Sequence, residues 1–173
     1  MLNGPFRCTL AVLALGIIGT PSMSWAATTS STFQVTLTIQ KACTVTAGSS
    51  SNIALGTQPA TATDVLGNNT ITVNCSKTTP YFIGLAPSNA NTAGAGTLAG
   101  TGSNTDHVPY KLSSTVGPSG TVWGNTATAI AVGNGVSGTG TGNNQTITVY
   151  VTVPSANFTP DTYTDTVTVN VNY

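Results

Sequence analysis

His107 is the only histidine in the chain and directly follows Asp106, so any imidazole-based proton transfer would have to be built on this one pair. A single imidazole rules out a histidine-based metal cluster, and a nucleophile triad would need a third group converging on the same ring. Standing just before an alternating run, Val108 to Leu112, the pair reads as a turn feature. A general acid and base could also come from Asp161 and Asp165, but these flank the start of the last alternating run, where Asp favours turns and edges. The glycine-rich stretches lack both the strand-to-helix setting and the lysine of a phosphate loop. Sequons at Asn68, Asn144 and Asn157 are what an Asn- and Thr-rich chain yields by chance. The expectation is a protein that is not an enzyme, with no catalytic residues, no cofactor and no metal.

The first 26 residues read as a secretory signal: Arg7 supplies a positive start, Leu10 to Ile18 a short apolar stretch, and Ser24-Trp25-Ala26 small residues at both cleavage-determining positions. The stretch is too short to span a bilayer as a helix. The exported product then begins near Ala27 and is soluble, with no membrane insertion. Its charges are Lys41, Lys77 and Lys111 against Asp64, Asp106, Asp161 and Asp165. With 5% charged residues and no cluster, there is no basic patch to hold nucleic acid or an anionic membrane. Cys8 leaves with the signal, so Cys43 and Cys75 remain as an even pair in an oxidising compartment, which predicts one disulfide.

The elements that must position these residues are strands. Thr, Asn, Ser, Gly and Ala dominate, a blend of β-branched residues and turn formers. Period-2 alternation appears at Ile71-x-Val73-x-Cys75 in a run beginning at Asn69. It recurs at Ile147-x-Val149-x-Val151-x-Val153, ended by Pro154, and at Val167-x-Val169-x-Val171-x-Tyr173. Tyr81 to Leu85 is a short apolar run, and Pro109 marks Val108 to Leu112 as an edge strand. Turn signals lie between them at Leu66-Gly67-Asn68-Asn69 and Pro160-Asp161. No window shows helical spacing of any length, so the chain reads as an all-β sandwich. Asn89 to Asn104 and Gly133 to Asn144 are low in complexity and are expected to be exposed loops.

The most regular alternation of all is Phe33-Gln34-Val35-Thr36-Leu37-Thr38-Ile39, almost at the exported start. Such a strand needs a neighbour for its oily edge and its backbone donors, and an N-terminal arm can find that neighbour in its own sandwich or in another molecule. Trp123, Tyr81 and Tyr110 could stack on sugars from one exposed face, as in a carbohydrate-binding adhesin, or could fill a sandwich core. A non-polymerising secreted coat or matrix protein is the third reading.

The arm followed four residues later by Cys43, the strand Thr70-Ile71-Thr72-Val73-Asn74-Cys75 closed by the second cysteine, and the ending Asp161-Thr162-Tyr163-Thr164-Asp165-Thr166 before Val167-x-Val169-x-Val171-x-Tyr173 together resemble the spore coat protein U domain family. Within it the chain is most similar to the pilin subunits of archaic, Csu-type chaperone-usher pili. Asp161 stands where a Gly is common.

The resemblance implies an incomplete immunoglobulin-like β-sandwich completed by a donor strand from a neighbouring subunit. Residues 1–26 would be the cleaved signal, 27–42 the donor arm and 43–173 the pilin domain. Phe33, Val35, Leu37 and Ile39 would be the donor plugs, and Val167, Val169 and Val171 would line the acceptor groove. Tyr173 and the terminal carboxylate would be gripped first by a periplasmic chaperone. Further partners would be an outer-membrane usher and identical subunits, in a homopolymeric pilus shaft at the surface of a Gram-negative bacterium, serving surface attachment and biofilm formation. A pilus-tip adhesin is the alternative position.

Overall fold

The computed structural model describes residues 25–173. Of the expected signal segment 1–26, all but Trp25 and Ala26 lies outside the described residues. The chain divides into a unit ending at Leu37 and a second, Thr38–Tyr173, which holds all the regular structure found among the described residues. Residues 25–42 join no strand, and Phe33, Val35, Leu37 and Ile39 are each more than 80% exposed.

The second unit is all-β, with eight strands: β1 Cys43–Thr46, β2 Thr63–Cys75, β3 Pro80–Pro87, β4 Ala95–Ala99, β5 His107–Ser113, β6 Val136–Thr139, β7 Gln145–Ser155 and β8 Val167–Asn172. They form a five-stranded sheet in the order β1-β2-β7-β5-β4 and a three-stranded sheet in the order β6-β3-β8. Every pairing is antiparallel. Alternate residues supply the core, as the pleat requires. Ile71, Val73, Val149, Val151, Val153, Val108, Tyr110 and Leu112 come from the first sheet, and Tyr81, Ile83 and Leu85 from the second. Trp123, from the long β5–β6 connection, is wholly buried between them and donates its indole N–H to the Ile83 carbonyl at 2.8 Å. With all three rings in the core, Trp123, Tyr81 and Tyr110 do not form an exposed stacking face.

Three local expectations are corrected. Leu66 to Asn69 is no turn: β2 runs straight through it, opposite Thr152 to Val149 of β7. Gly67 is where Ile53 and Leu55 cross the strand, since a Cβ there would stand 2.7 Å from both side chains. β5, for its part, is interior in the sheet. Pro109 is tolerated because the β5–β7 ladder covers only Lys111 to Ser113, and its missing N–H faces the flank beyond that ladder. The two low-complexity stretches also contain strands, β4 and β6. In each a glycine pairs directly with a tyrosine, Gly96 with Tyr110 and Gly138 with Tyr81. The ring lies over the glycine so closely that a Cβ would stand 2.0 Å or 2.2 Å from ring carbon. The apolar area of these strands is lent by their partners, which a period count cannot register.

Candidate functional site: an open edge above an apolar cleft

Among the described residues β8 is an edge strand, paired with β3 alone. The direction of its backbone groups follows from β3. Leu85 N–H is donated to Gly124 O at 2.9 Å and Ile83 O accepts from Trp123, both on the side of β3 away from β8. Leu85 and Ile83 stand opposite Val169 and Val171. In an antiparallel ladder, such pairs are the non-hydrogen-bonded ones, so the N–H and C=O groups of Val167, Val169 and Val171 point to the open edge. An edge of this kind offers a row of unused donors and acceptors to an added strand.

Beneath that edge the two sheets do not close. An apolar cleft of ≈ 380 Å³ is lined by Ile71, Val149 and Leu112 on one side and by Leu85, Val167 and Val169 on the other. Closed cores keep only a few voids of water size, so a volume this large marks a core with material missing. Val171 and Tyr173 do not line the cleft. Val171 packs against the core further along β8, and Tyr173 is 38% exposed, with Lys41 Nζ 5.8 Å from its ring. Of the three valines expected to line the groove, Val167 and Val169 lie in the cleft.

Sequence reasoning missed the residues that hold the start of β8 in place. Thr164 exchanges two backbone hydrogen bonds with Ala99 at the end of β4, at 2.9 and 3.0 Å, so the chain is tied to one sheet just before it enters the other. Asp161 fastens the same loop. Its carboxylate accepts from the Thr101 hydroxyl, Thr101 N at 2.7 Å, Asn104 Nδ2 at 2.8 Å and Thr162 N at 2.7 Å. Those donors, the Thr101 hydroxyl foremost, hold its pKa well below the usual carboxylate range. Asp106 is held down the same way by Thr159, whose N–H donates to it at 3.0 Å. The only Asp-His pair is thereby a loop fastener, with His107 exposed at the first position of β5.

At the end of the cleft, Tyr110 Oη donates to Asp165 Oδ2 at 2.6 Å, and Thr166 N donates to Asp165 Oδ1 at 2.7 Å. Burial, reinforced by the bond to Asp165, pushes the Tyr110 phenol far above its ordinary range, so it stays a donor. The asparagines and threonines that make these fasteners are commonplace in the composition, and only their partners give them meaning. Among the described residues no cluster of three or more metal-ligating side chains occurs.

Cys43 and Cys75 are joined, as expected. They face each other across β1 and β2, which places the covalent link at the first ordered strand after the arm.

The model of the Spore Coat Protein U domain matches residues 29–170, well over half of the chain, and the chain belongs to that family. Among solved structures it is similar to a chain of the CsuC-CsuE chaperone-tip adhesion subunit pre-assembly complex from the archaic chaperone-usher Csu pili of Acinetobacter baumannii. The TM-score is 0.51 at 21% identity, with 79% of this chain covered. The match covers 40% of that longer chain. The fold is accordingly that of a chaperone-usher pilus subunit. No curated relative matches the chain.

Proposed function

We propose that the chain is a structural subunit of an extracellular pilus shaft, polymerised by donor-strand exchange. The arm of one copy, with Phe33, Val35, Leu37 and Ile39 as plugs, fills the cleft beside β8 of the next. The observation that carries this reading is an apolar cleft under an unpaired strand edge, in a chain whose exposed arm has the period and the apolar residues to fill it. Burying four such side chains at about 1.5–3 kcal/mol each gives about 6–12 kcal/mol before ordering costs, with main-chain hydrogen bonds in addition. Gln34, Thr36, Thr38 and Gln40 carry no charge, so the polar face of the arm desolvates no ion.

An open cleft would aggregate in isolation, so the reading includes a periplasmic chaperone that covers it, gripping Tyr173 and its carboxylate, and an outer-membrane usher where the exchange takes place. Export through the periplasm to the cell surface, attachment and biofilm formation belong to the same proposal. The role is structural rather than enzymatic. Deleting residues 27–40, or combining Val35→Asp with Leu37→Asp, is expected to give soluble subunits and no surface fibres. Normal fibres from either variant would overturn the proposal.

A further inference from the structure

The arm carries one charge and so does the cleft. Between Trp25 and Ala42 the only ionisable side chain is Lys41, and among the residues lining the cleft the only one is a carboxylate, Asp165, apart from the phenol it holds. Asp165 lies two residues before Val167, on the inward face, as its bond to buried Tyr110 shows. Lys41 lies two residues after Ile39, on the same side of an extended arm as the four plugs.

Antiparallel addition of the arm to β8 with Ile39 opposite Val167 sets Leu37 opposite Val169, Val35 opposite Val171 and Phe33 opposite Tyr173. The same register sets Lys41 directly opposite Asp165, on the shared face where cross-strand pairs meet. A parallel arm with Phe33 beside Val167 would leave Ser31 beside Asp165 and carry Lys41 to the far end of β8. We propose, on the donor-strand reading, that Lys41 of one copy pairs with Asp165 of the next at the mouth of the cleft, and that this ion pair fixes the direction and register of the inserted arm.

Both groups are free to do this. Each Asp165 oxygen uses one lone pair, for Tyr110 or for Thr166, and keeps a second. Among the described residues Lys41 meets the ring of its own Tyr173, an exposed cation–π contact that is easily exchanged. Within one copy the two cannot pair. Lys41 sits at Tyr173, and the eight residues back to Asp165 span about 26 Å at strand rise. A Lys41–Asp165 contact is therefore a contact between copies.

Native multimers treated with a carbodiimide, which joins touching amine and carboxylate groups without a spacer, are expected to yield a Lys41–Asp165 amide by mass spectrometry of the digest. Monomers should yield none. Lys41 joined instead to Asp64, Asp106 or Asp161, or multimers with no link at Asp165, would overturn the pairing. So would Asp165 linked only to a lysine of a different protein.

Competition gives the second readout, since Lys41 lies outside every strand and its substitution leaves the core intact. In cells making both kinds of copy, Lys41→Glu is expected to enter multimers about five-fold less often than wild type, the scale of losing and reversing one cross-strand pair. With Asp165→Lys acceptors the preference should invert. Equal incorporation, with the Val35→Asp/Leu37→Asp arm still unable to assemble, defeats the ion pair alone. Assembly by that double variant defeats the donor-strand reading itself.

Discussion

Asp161 and Asp106 are the residues with the most legible chemistry, and both turn out to be fasteners of the loops that deliver β8. Their folded-state pKa values lie below the unfolded ones, so the folded chain takes up fewer protons than the unfolded chain as the solution is acidified. Their contribution is fully present above the unfolded carboxylate value, about 3.9, and is lost as the pH falls through the lower folded values. Thermal unfolding followed from pH 7 downwards should therefore be flat to about pH 4 and then fall, and Asp161→Asn should lower the plateau and reduce the fall. Trp123 is the opposite kind of residue, wholly buried and hydrogen-bonded to Ile83. Trp123→Ala is expected to cost about 3–5 kcal/mol in denaturant unfolding, as a core truncation rather than the loss of a sugar-binding ring. Nothing in the composition distinguishes Thr101, Asn104 and Tyr110 from their many neighbours of the same type, and this is why Asp161 and Asp165 read as turn residues until their partners were visible.

At the scale of elements, strands whose own side chains alternate were legible: β2 from Asn69 onward, β3, β5, β7 and β8 all fall where the apolar period places them. β4 and β6 were not, because a Gly-Thr-Ala segment has no period to read and takes its apolar cover from Tyr110 and Tyr81 across the ladder. The ring over each glycine makes that dependence measurable. Gly96→Ala, which sets a methyl group into the Tyr110 ring, is expected to destabilise by about 1–3 kcal/mol, with Gly138→Ala similar against Tyr81. Equilibrium unfolding of the two variants beside an exposed loop control such as Gly48→Ala, which meets nothing, isolates the effect. The arm and β8 share one alternating pattern, yet one is exposed and the other half-buried. A period of two says that a strand wants a sheet, not which molecule provides it.

For the whole molecule, the fold class and the disulfide could both be read from residues alone, while the cleft could not, since a missing strand leaves no trace in the strands that are present. The link between Cys43 and Cys75 closes 32 residues of chain. Replacing both by Ser is expected to lower stability by about 3–4 kcal/mol on the chain-entropy account, visible as a lower denaturant midpoint under oxidising conditions and abolished for wild type by a reductant. The position of the link has a mechanical consequence. Tension applied through residues 25–42 reaches Cys43 first, and there it passes across the sulfur bridge to Cys75 and on towards β3, so the loop between the two cysteines, which holds β1 and β2, is bypassed. A tug on the N-terminal arm thus cannot peel β1 from β2 while the bridge is intact, so reduction should expose β1 to low-force peeling and add the sheltered loop to the extension seen in a single-molecule pulling trace.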